Sequence, residues 1–396
     1  ASSGPRIRAL RSTLPPGGSS SGTVTSVTAN MAMLGTGTDT ANSIRMPAAT
    51  SAVVGVFPTR GLVSIAGIAP LDWMLDNTGP IARTVTDAAI ALSAMQGPDP
   101  LDPVSNTAPA DAQRGPYLPF LKPGSLKGKR IGVPVFIMKG TSTPFHGTPA
   151  NVPEWAARKR IADRFLPLEE QTYTAFKKNL EELRAAGATI VLDDSILPDD
   201  FVTAVSRIGT YPYVRDGMQR FLKDFGPAQY RSIEEYMKVV GQPIGANVIG
   251  EGVGSSHMGG VTLTQRVLDG DPEAEANVYA PRRKAMAMYL ETMDRLKLDA
   301  YVYPPIQMPP PDETMPQNGE VSDGPHSDTG WNNMLGVPAV VVSGGFYPGG
   351  LPVGLEFSGR PWRDGDLLGI AYGFEQATHH RHPPVLVEQG LLTKTP

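Results

Sequence analysis

The 396-residue sequence contains no cysteine. Disulfide bonds, thiolate metal ligands and a cysteine nucleophile are therefore excluded from its chemistry. The missing cysteines do not fix the compartment, because cysteine-free chains occur both in the cytosol and among exported bacterial proteins. We favour the cytoplasm.

An excess of basic charge and long apolar runs are also lacking. The sequence has 35 basic and 39 acidic residues, a net charge of −4, which gives no basic surplus to bind nucleic acid or acidic lipid. No apolar run approaches the roughly 20 residues of a membrane-spanning helix. The sequence therefore predicts neither a nucleic-acid partner nor a membrane partner.

The hydrophobic periodicity predicts an α/β fold. Apolar stretches typical of buried strands occur at 130–134, 188–192 and 298–303, and an amphipathic helix over 168–186 lies between the first two. A strand, a helix and a strand at this spacing favour a parallel βαβ unit. We therefore predict one large domain over residues 1–396, with a mixed, mainly parallel sheet covered by helices on both faces. Further helices are predicted over 84–95, 273–296 and 366–379, and further strands over 337–343 and 353–357.

Two segments are predicted to flank a binding site. Residues 200–260 have the pattern of helices rich in Tyr, Phe and Met, without a catalytic motif, and we predict a helical cap or insertion there. Residues 304–330 form a polar loop rich in proline and glycine. This loop is too long for a simple connection, which favours a functional role such as a pocket wall.

Two serine-bearing turns lie near the start of the sequence. The first is a Gly/Ser turn at 17–22, whose glycines permit close approach of the backbone. The second is a tight polar loop at 35–45 that contains Ser43. A helix predicted from Ile44 places Ser43 at a helix N-terminus, where free backbone N–H groups can bind an anion. The residues between the turns that share the spacing of one helix face, with a strand expected from near Met33, are Val24, Val27, Met31 and Leu34.

A single helix-to-strand passage joins the two turns, so they can meet in space. Ser19 in the first turn and Ser43 in the second are 24 positions apart. This arrangement suits the transfer of a proton from one hydroxyl to another.

These turns resemble the signature region of the amidase signature family of serine hydrolases. That family has a Gly-Gly-Ser-Ser-Gly-Gly turn, followed by a Gly-Thr-Asp-Thr-Gly-Gly-Ser-Ile-Arg loop that contains the nucleophile. The resemblance covers residues 17–100 most closely and continues over 295–385. The later motifs that carry it are Pro47-Ala48-Ala49, the run from Gly55 to Gly61, the run from Leu75 to Pro80, Arg83, Asp87, the run from Asn333 to Pro338 and the run from Gly350 to Leu355.

The resemblance implies a role for several residues. Ser43 is the nucleophile, Ser19 in a cis peptide relays its proton, and an uncharged lysine further upstream is the final base. The backbone N–H groups of Thr40, Ala41, Asn42 and Ser43 form the oxyanion hole. The implied activity is hydrolysis of a carboxylic amide through an acyl-enzyme, without a metal or an organic cofactor.

The sequence departs from the family pattern at two points. Ala41 and Asn42 replace two glycines, and alanine is poorly suited to positive φ, so a loop that needs such a φ at position 41 must differ locally. The first lysine is Lys122, so the sequence lacks the expected base. Two explanations stay open. Either an N-terminal segment that precedes Ala1 carries the lysine, or another group replaces it or the protein is inactive.

Asp39 and Arg45 flank the nucleophile. We predict that they pair to support the loop, because arginine stays charged and offers a rigid fork to a carboxylate. Trp331, Phe346 and Tyr347 are candidates for a substrate pocket that binds aryl groups, with core or loop packing as the alternative.

Two further patterns favour non-catalytic interpretations. Gly18, Ser20 and Gly22 match the nucleophile elbow of α/β-hydrolases. That motif needs a preceding strand, and the residues before it, Leu14-Pro15-Pro16, are a poor strand.

The histidine group near the C-terminus, which could suggest a metal site, is predicted to be a solvated helix end. Its members are His379, His380 and His382. His257 and His326 are predicted to be structural or solvent-facing.

The predicted function is that of an amidase acting on a small-molecule amide, with aryl amides and carbamates among the candidates. An esterase that uses the same residues is the first alternative. A partner-dependent amidotransferase subunit, or an inactive binding relative, is the second. We expect a monomer or a homodimer.

Overall fold

The computed structural model describes residues 16–139, 168–249, 264–310, 327–384, 387 and 389–391. Three predicted features lie wholly or partly outside these residues. They are the 250–260 part of the predicted insertion, the 311–326 part of the predicted pocket wall, and the histidines His257 and His326.

An eight-stranded sheet forms the centre of the described structure. Its strands are β1 (Leu34–Asp39), β2 (Val54–Phe57), β3 (Asn77–Ala82), β4 (Arg130–Gly132), β5 (Thr189–Val191), β6 (Ala300–Tyr303), β7 (Ala339–Phe346) and β8 (Pro352–Ser358). Their order across the sheet is β1-β3-β2-β7-β8-β6-β4-β5.

Helices surround this sheet. They are α1 (Ser21–Thr28), α2 (Arg45–Ala49), α3 (Val85–Met95), α4 (Val135–Lys139), α5 (Glu170–Ala185), α6 (Asp199–Ser206), α7 (Val214–Phe225), α8 (Ile233–Val240), α9 (Ala246–Ile249), α10 (Ala280–Leu296), α11 (Trp331–Leu335) and α12 (Asp364–Thr378), with a π-helical turn at Glu275–Tyr279 and 3-10 turns at Pro103–Asn106, Leu118–Phe120 and Tyr211–Tyr213. None of the helices in the described ranges is long and apolar enough to cross a bilayer.

The predicted α/β fold with a mixed sheet is confirmed, but parallel pairing is confined to one side of the sheet. β4 pairs in parallel with β5 and β6, and the other pairings are antiparallel. The prediction of a mainly parallel sheet is therefore corrected. It extended the βαβ pattern of β4, α5 and β5 to strands such as β7 and β8, which a short turn at 347–351 joins in the antiparallel manner.

The sheet is packed on both faces. Val341 of β7 belongs to a small hydrophobic cluster with residues of α1 and α2, whereas its neighbours Val340 and Val342 belong to the main core. This division follows from the alternation of side chains along a strand. Glycine lets α2 approach closely, since a Cβ added at Gly55 of β2 would lie 2.8 Å from the side chain of Ala48. The sheet thereby fixes α2, the helix that begins two residues after Ser43.

The segment 199–249 is helical and contains α6 to α9. Met218, Leu222, Ile233 and Ile249 form a hydrophobic cluster of their own, separate from the main core. The helical content agrees with the predicted insertion, and its role as a cap stays a prediction.

The region between the serine turns differs from the prediction. α1 ends at Thr28, and Met31 and Leu34 are 67% and 39% exposed, so only Val24 and Val27 occupy the predicted buried face. The strand expected from near Met33 is β1, which begins at Leu34 and continues to Asp39, so it takes up the first part of the stretch predicted as a polar loop at 35–45. Pairing with β3 stabilises this strand, although its alternating glycine and threonine residues carry little local strand signal.

Candidate active site

Residues 40–44 connect β1 to α2 and form the loop that contains Ser43. Ser43 is half-buried, and the backbone N–H groups of Ala41, Asn42 and Ser43 meet no acceptor within the described ranges. Neither Ala41 nor Asn42 has a positive φ. The two replacements of glycine are therefore accommodated without the conformation that alanine disfavours. The loop presents unbonded donors beside a reachable hydroxyl.

The Gly/Ser turn lies directly against this loop. The backbone N–H of Ser20 donates a hydrogen bond to the carbonyl oxygen of Ser43 over 3.2 Å, and the Ser20 hydroxyl donates to the Thr38 carbonyl over 3.2 Å. The Gly18–Ser19 peptide bond is cis, the isomer that the resemblance implies. Ser19 is exposed. The structure thus brings the two serine turns together through the residue that follows Ser19.

Asp39 and Arg45 form a fully buried ion pair beneath the loop. Arg45 Nε lies 3.1 Å from Asp39 Oδ2, and the same oxygen accepts the backbone N–H of Ile44 over 3.0 Å. Arg45 Nη2 donates to the carbonyl oxygen of Ala41 over 2.7 Å. Burial alone would lower the pKa of Arg45, but the carboxylates of Asp39 and Glu356 raise it above its usual value. The guanidinium therefore stays charged and holds both ends of the loop.

The sequence analysis missed four side chains that complete this buried network. Arg45 donates to the side chains of Asn332 over 3.0 Å, Asn333 over 2.5 Å and Glu356 over 3.0 Å. The Tyr303 hydroxyl donates to Glu356 Oε1 over 2.9 Å. One signal was available in the sequence, because Glu356 is a carboxylate within an otherwise apolar strand.

A third carboxylate, Asp76, also supports this loop. The Thr40 hydroxyl donates to Asp76 Oδ1 over 2.5 Å, and the backbone N–H of Leu71 donates to Asp76 Oδ2 over 2.9 Å. Burial raises the pKa of Asp76. The loop at 71–76 is thereby bound to the loop that contains Ser43.

The same 71–76 loop contacts the helical segment 199–249. The Thr210 hydroxyl donates to Asp72 Oδ2 over 2.6 Å, and Trp73 Nε1 donates to the carbonyl oxygen of Tyr213 over 3.0 Å. A continuous chain of hydrogen bonds therefore leads from Thr40 to the predicted insertion.

The Asp72 carboxyl gives a testable pH dependence. Burial raises its pKa from 3.8 to about 6, so ionisation of this group destabilises the folded protein as the pH rises from about 4 to above 6. The shift corresponds to about 3 kcal/mol. Between pH 4 and pH 7 we expect the unfolding free energy of the wild type, measured with urea, to fall about 2 kcal/mol more than that of Asp72→Asn, because the carboxyl of the unfolded chain is already more than half ionised at pH 4. Equal changes in the two proteins would contradict the assignment.

Among the described residues, the three candidates for the predicted aryl pocket lie in different surroundings. Trp331 is fully buried and packs edge-on against Phe136 and Phe201, with ring centroids 6.3 and 5.8 Å away. Tyr347 is buried and its hydroxyl lies 2.9 Å from that of Thr172. The large apolar surfaces of these two residues fill the core, which is the alternative given for them, and their role in a substrate pocket stays a prediction. The third candidate is half-buried and stacks on a histidine, with 4.3 Å between the rings of Phe346 and His382.

The C-terminal histidines make separate contacts. His380 Nε2 lies 2.8 Å from Glu182 Oε2, His379 ends α12 in the left-handed conformation, and His382 stacks on Phe346. Within the part of the chain that the structure describes, no three His, Asp or Glu side chains are grouped to hold a metal ion.

Comparison with known proteins places this geometry in a family. A family model for amidases matches residues 3–148. A probable amidase of Arabidopsis thaliana is 29% identical over 381 residues, which cover 94% of this chain and 62% of that protein. One subunit of the glutamyl-tRNA(Gln) amidotransferase of Moorella thermoacetica is 34% identical over 380 residues, with 94% and 69% covered.

A solved structure agrees with these relatives. The native peptide amidase from Stenotrophomonas maltophilia superposes with a TM-score of 0.68 at 28% identity, and the match covers 96% of this chain and 68% of that one. The chain thus spans between 62% and 69% of the length of these three proteins. The family model, the relatives and the shared fold together establish that this chain belongs to the amidase signature family.

Proposed function

We propose that this protein hydrolyses a small-molecule carboxylic amide through an acyl-enzyme on Ser43. The observation that carries the proposal is the contact between the two serine turns. The Ser20 N–H bonds to the Ser43 carbonyl, so the cis turn that contains Ser19 lies beside a loop whose N–H groups are unbonded. Family membership favours amide chemistry on this arrangement.

The proposed reaction has two halves. Ser43 Oγ attacks the amide carbonyl carbon, and its proton passes through the Ser19 hydroxyl to a base. The N–H groups of Thr40, Ala41, Asn42 and Ser43 hold the oxyanion that forms. The C–N bond then breaks and the amine leaves with a proton. Water attacks the resulting ester, which releases the acid and returns the proton to Ser43.

The base is assigned to no residue of the sequence, whose first lysine is Lys122.

The nucleophile is tested directly by labelling with a fluorophosphonate, followed by intact-mass measurement and peptide mapping. One adduct on Ser43 supports the proposal. Absence of any adduct would contradict it and favour the inactive binding relative.

The relay makes a prediction about Ser19. Ser19→Ala is expected to slow phosphonylation of Ser43 by about 10²- to 10⁴-fold, because it removes a positioned proton-transfer group while the oxyanion donors remain. The adduct should still map to Ser43. The measurement is the labelling rate followed by intact mass, and a rate equal to the wild type would refute the relay.

A partner-dependent amidotransferase subunit is the second candidate. The 34% identity to one chain of a glutamyl-tRNA(Gln) amidotransferase favours it. Turnover of a simple amide by the purified chain alone supports the stand-alone amidase, which we propose acts as a monomer or homodimer in the cytoplasm. Activity that appears only with partner chains would support the second candidate. Matched amide and ester substrates separate the amidase from an esterase with the same residues.

A further inference from the structure

Glu356 is a buried acid with an unusual set of contacts. It lies on β8 opposite Tyr303 of β6 and Val341 of β7, and it is fully buried. Its Oε1 accepts hydrogen bonds from Arg45 Nη1 over 3.0 Å and from the Tyr303 hydroxyl over 2.9 Å. Its Oε2 has no hydrogen-bond partner in the described structure. In the described structure, the Glu356 side chain therefore makes its hydrogen bonds through Oε1 alone.

Arg45 connects that oxygen to the nucleophile loop. Its Nη1 meets Glu356, and its Nη2 donates to the Ala41 carbonyl over 2.7 Å. The guanidinium is planar and rigid, so a displacement at one nitrogen displaces the other. The hydrogen bond between Arg45 and Glu356 therefore helps to fix the position of the Ala41 carbonyl.

The Ala41 carbonyl in turn sets the direction of an oxyanion donor. The carbonyl of Ala41 and the N–H of Asn42 belong to one planar peptide unit, in which they point in opposite directions. Holding the carbonyl beneath the loop aims the Asn42 N–H outward, on the side where Ser43 is half-buried and reachable. Oxyanion donors are effective only when they are fixed before the reaction.

We propose that Glu356 is a positioning residue for the loop that contains Ser43 and the oxyanion donors. It acts because its side chain is long enough to bring Oε1 within hydrogen-bond distance of Arg45. The catalytic consequence rests on the proposed function of Ser43. The charged and titratable groups that face Glu356 are Arg45 from α2, Tyr303 from β6 and, beyond Arg45, Asp39 from β1. Arg45 already has Asp39 as a counter-charge, so the second carboxylate contributes geometry rather than charge balance.

Two conservative variants separate the effect of side-chain length at position 356 from the effect of its charge. Glu356→Gln keeps an oxygen at the same distance and removes the negative charge. Glu356→Asp keeps the charge but withdraws the oxygens by one methylene. Phe357→Leu is the matched control, because Phe357 is the next residue of β8 and equally buried, but it packs against Phe374 of α12 on the opposite face, with ring centroids 6.1 Å apart.

The rate of amide hydrogen exchange in the segment 40–46 measures directly how firmly the loop that contains Ser43 is held. The amides of Ile44 and Met46 are hydrogen-bonded within the loop, to Asp39 and to the Asn42 carbonyl. We expect Glu356→Asp to speed exchange of this segment by about 10-fold or more, and Glu356→Gln and Phe357→Leu to leave it unchanged. Unchanged exchange in Glu356→Asp, or faster exchange in Glu356→Gln alone, would overturn the proposal.

Phosphonylation of Ser43 is the second readout. We expect Glu356→Asp to slow it by on the order of 10- to 100-fold, the loss typical of a small misplacement of catalytic groups. With an amide substrate, kcat should fall while KM stays constant, because an oxyanion donor acts only in the transition state. If the variants show the expected exchange pattern but Ser43 of the wild type is not phosphonylated, the proposed function fails and the positioning role of Glu356 stands. If labelling is normal in Glu356→Asp, the positioning role fails and the proposed function stands.

Discussion

Ser43→Ala is expected to abolish fluorophosphonate labelling and to lower amide turnover by on the order of 10⁴-fold or more. The substitution removes the only atom of the side chain that can form the acyl bond, whereas the neighbouring N–H donors and the Asp39–Arg45 pair stay in place. Folding should therefore be unaffected. Intact mass after labelling, together with thermal unfolding of the same sample, measures both expectations.

Ser26→Ala is the matched control for this result. Ser26 is on α1, between the two turns, and its hydroxyl donates to the Gly22 carbonyl of its own helix over 2.9 Å. Its replacement should leave labelling at the wild-type level. An adduct that persists in Ser43→Ala and maps to Ser20 would contradict the assignment and favour the nucleophile-elbow interpretation of the first turn.

The periodicity of apolar residues within one segment was sufficient to predict the elements that pack against the core. The helix predicted over 168–186 is α5 at Glu170–Ala185, and the one predicted over 366–379 is α12 at Asp364–Thr378. In both, the spacing of apolar residues is set by packing against the core, so the sequence carries the signal within one segment. The same holds for β6, the buried strand predicted at 298–303, whereas β5 forms where a buried strand was predicted but is an edge strand with Thr189 exposed.

Only the start of strand β1 was predicted, near Met33, and its course through residues 35–39 could not be predicted in this way. Its residues from Gly35 to Thr38 have low or ambiguous strand preference, and its stability comes from pairing with β3, some 40 positions later in the chain. A strand that depends on a distant partner has no local pattern. The direction of pairing is equally non-local, which explains why the prediction overestimated the parallel part of the sheet.

The support of the loop that contains Ser43 was predicted only in part. The Asp39–Arg45 pair could be inferred because six positions separate two opposite charges around Ser43. Asn332 and Glu356 are about 290 and 310 positions from Arg45 in the chain, so no spacing rule connects them with it. The burial of Trp331 is a similar case, since an aromatic side chain suits a pocket wall and a core equally well.

Arg45→Met is expected to lower the unfolding free energy by about 3–5 kcal/mol, the usual loss when one member of a buried ion pair is removed. Asp39 and Glu356 both have fully buried side chains, and the variant leaves them without a counter-charge. Urea unfolding at neutral pH measures the loss. Arg45→Lys should lose less, because it keeps the charge but cannot reproduce the forked contacts to Asp39, Ala41 and Glu356.

The pH dependence of this loss distinguishes orphaned charge from lost packing. A carboxyl group that is buried without a partner favours its neutral form, so acid should relieve the penalty in Arg45→Met. The difference in unfolding free energy between wild type and variant should therefore be smaller at pH 5 than at pH 8. A difference that is the same at both pH values would mean that the methylene stem and hydrogen bonds of Arg45, rather than its charge, hold the loop that contains Ser43.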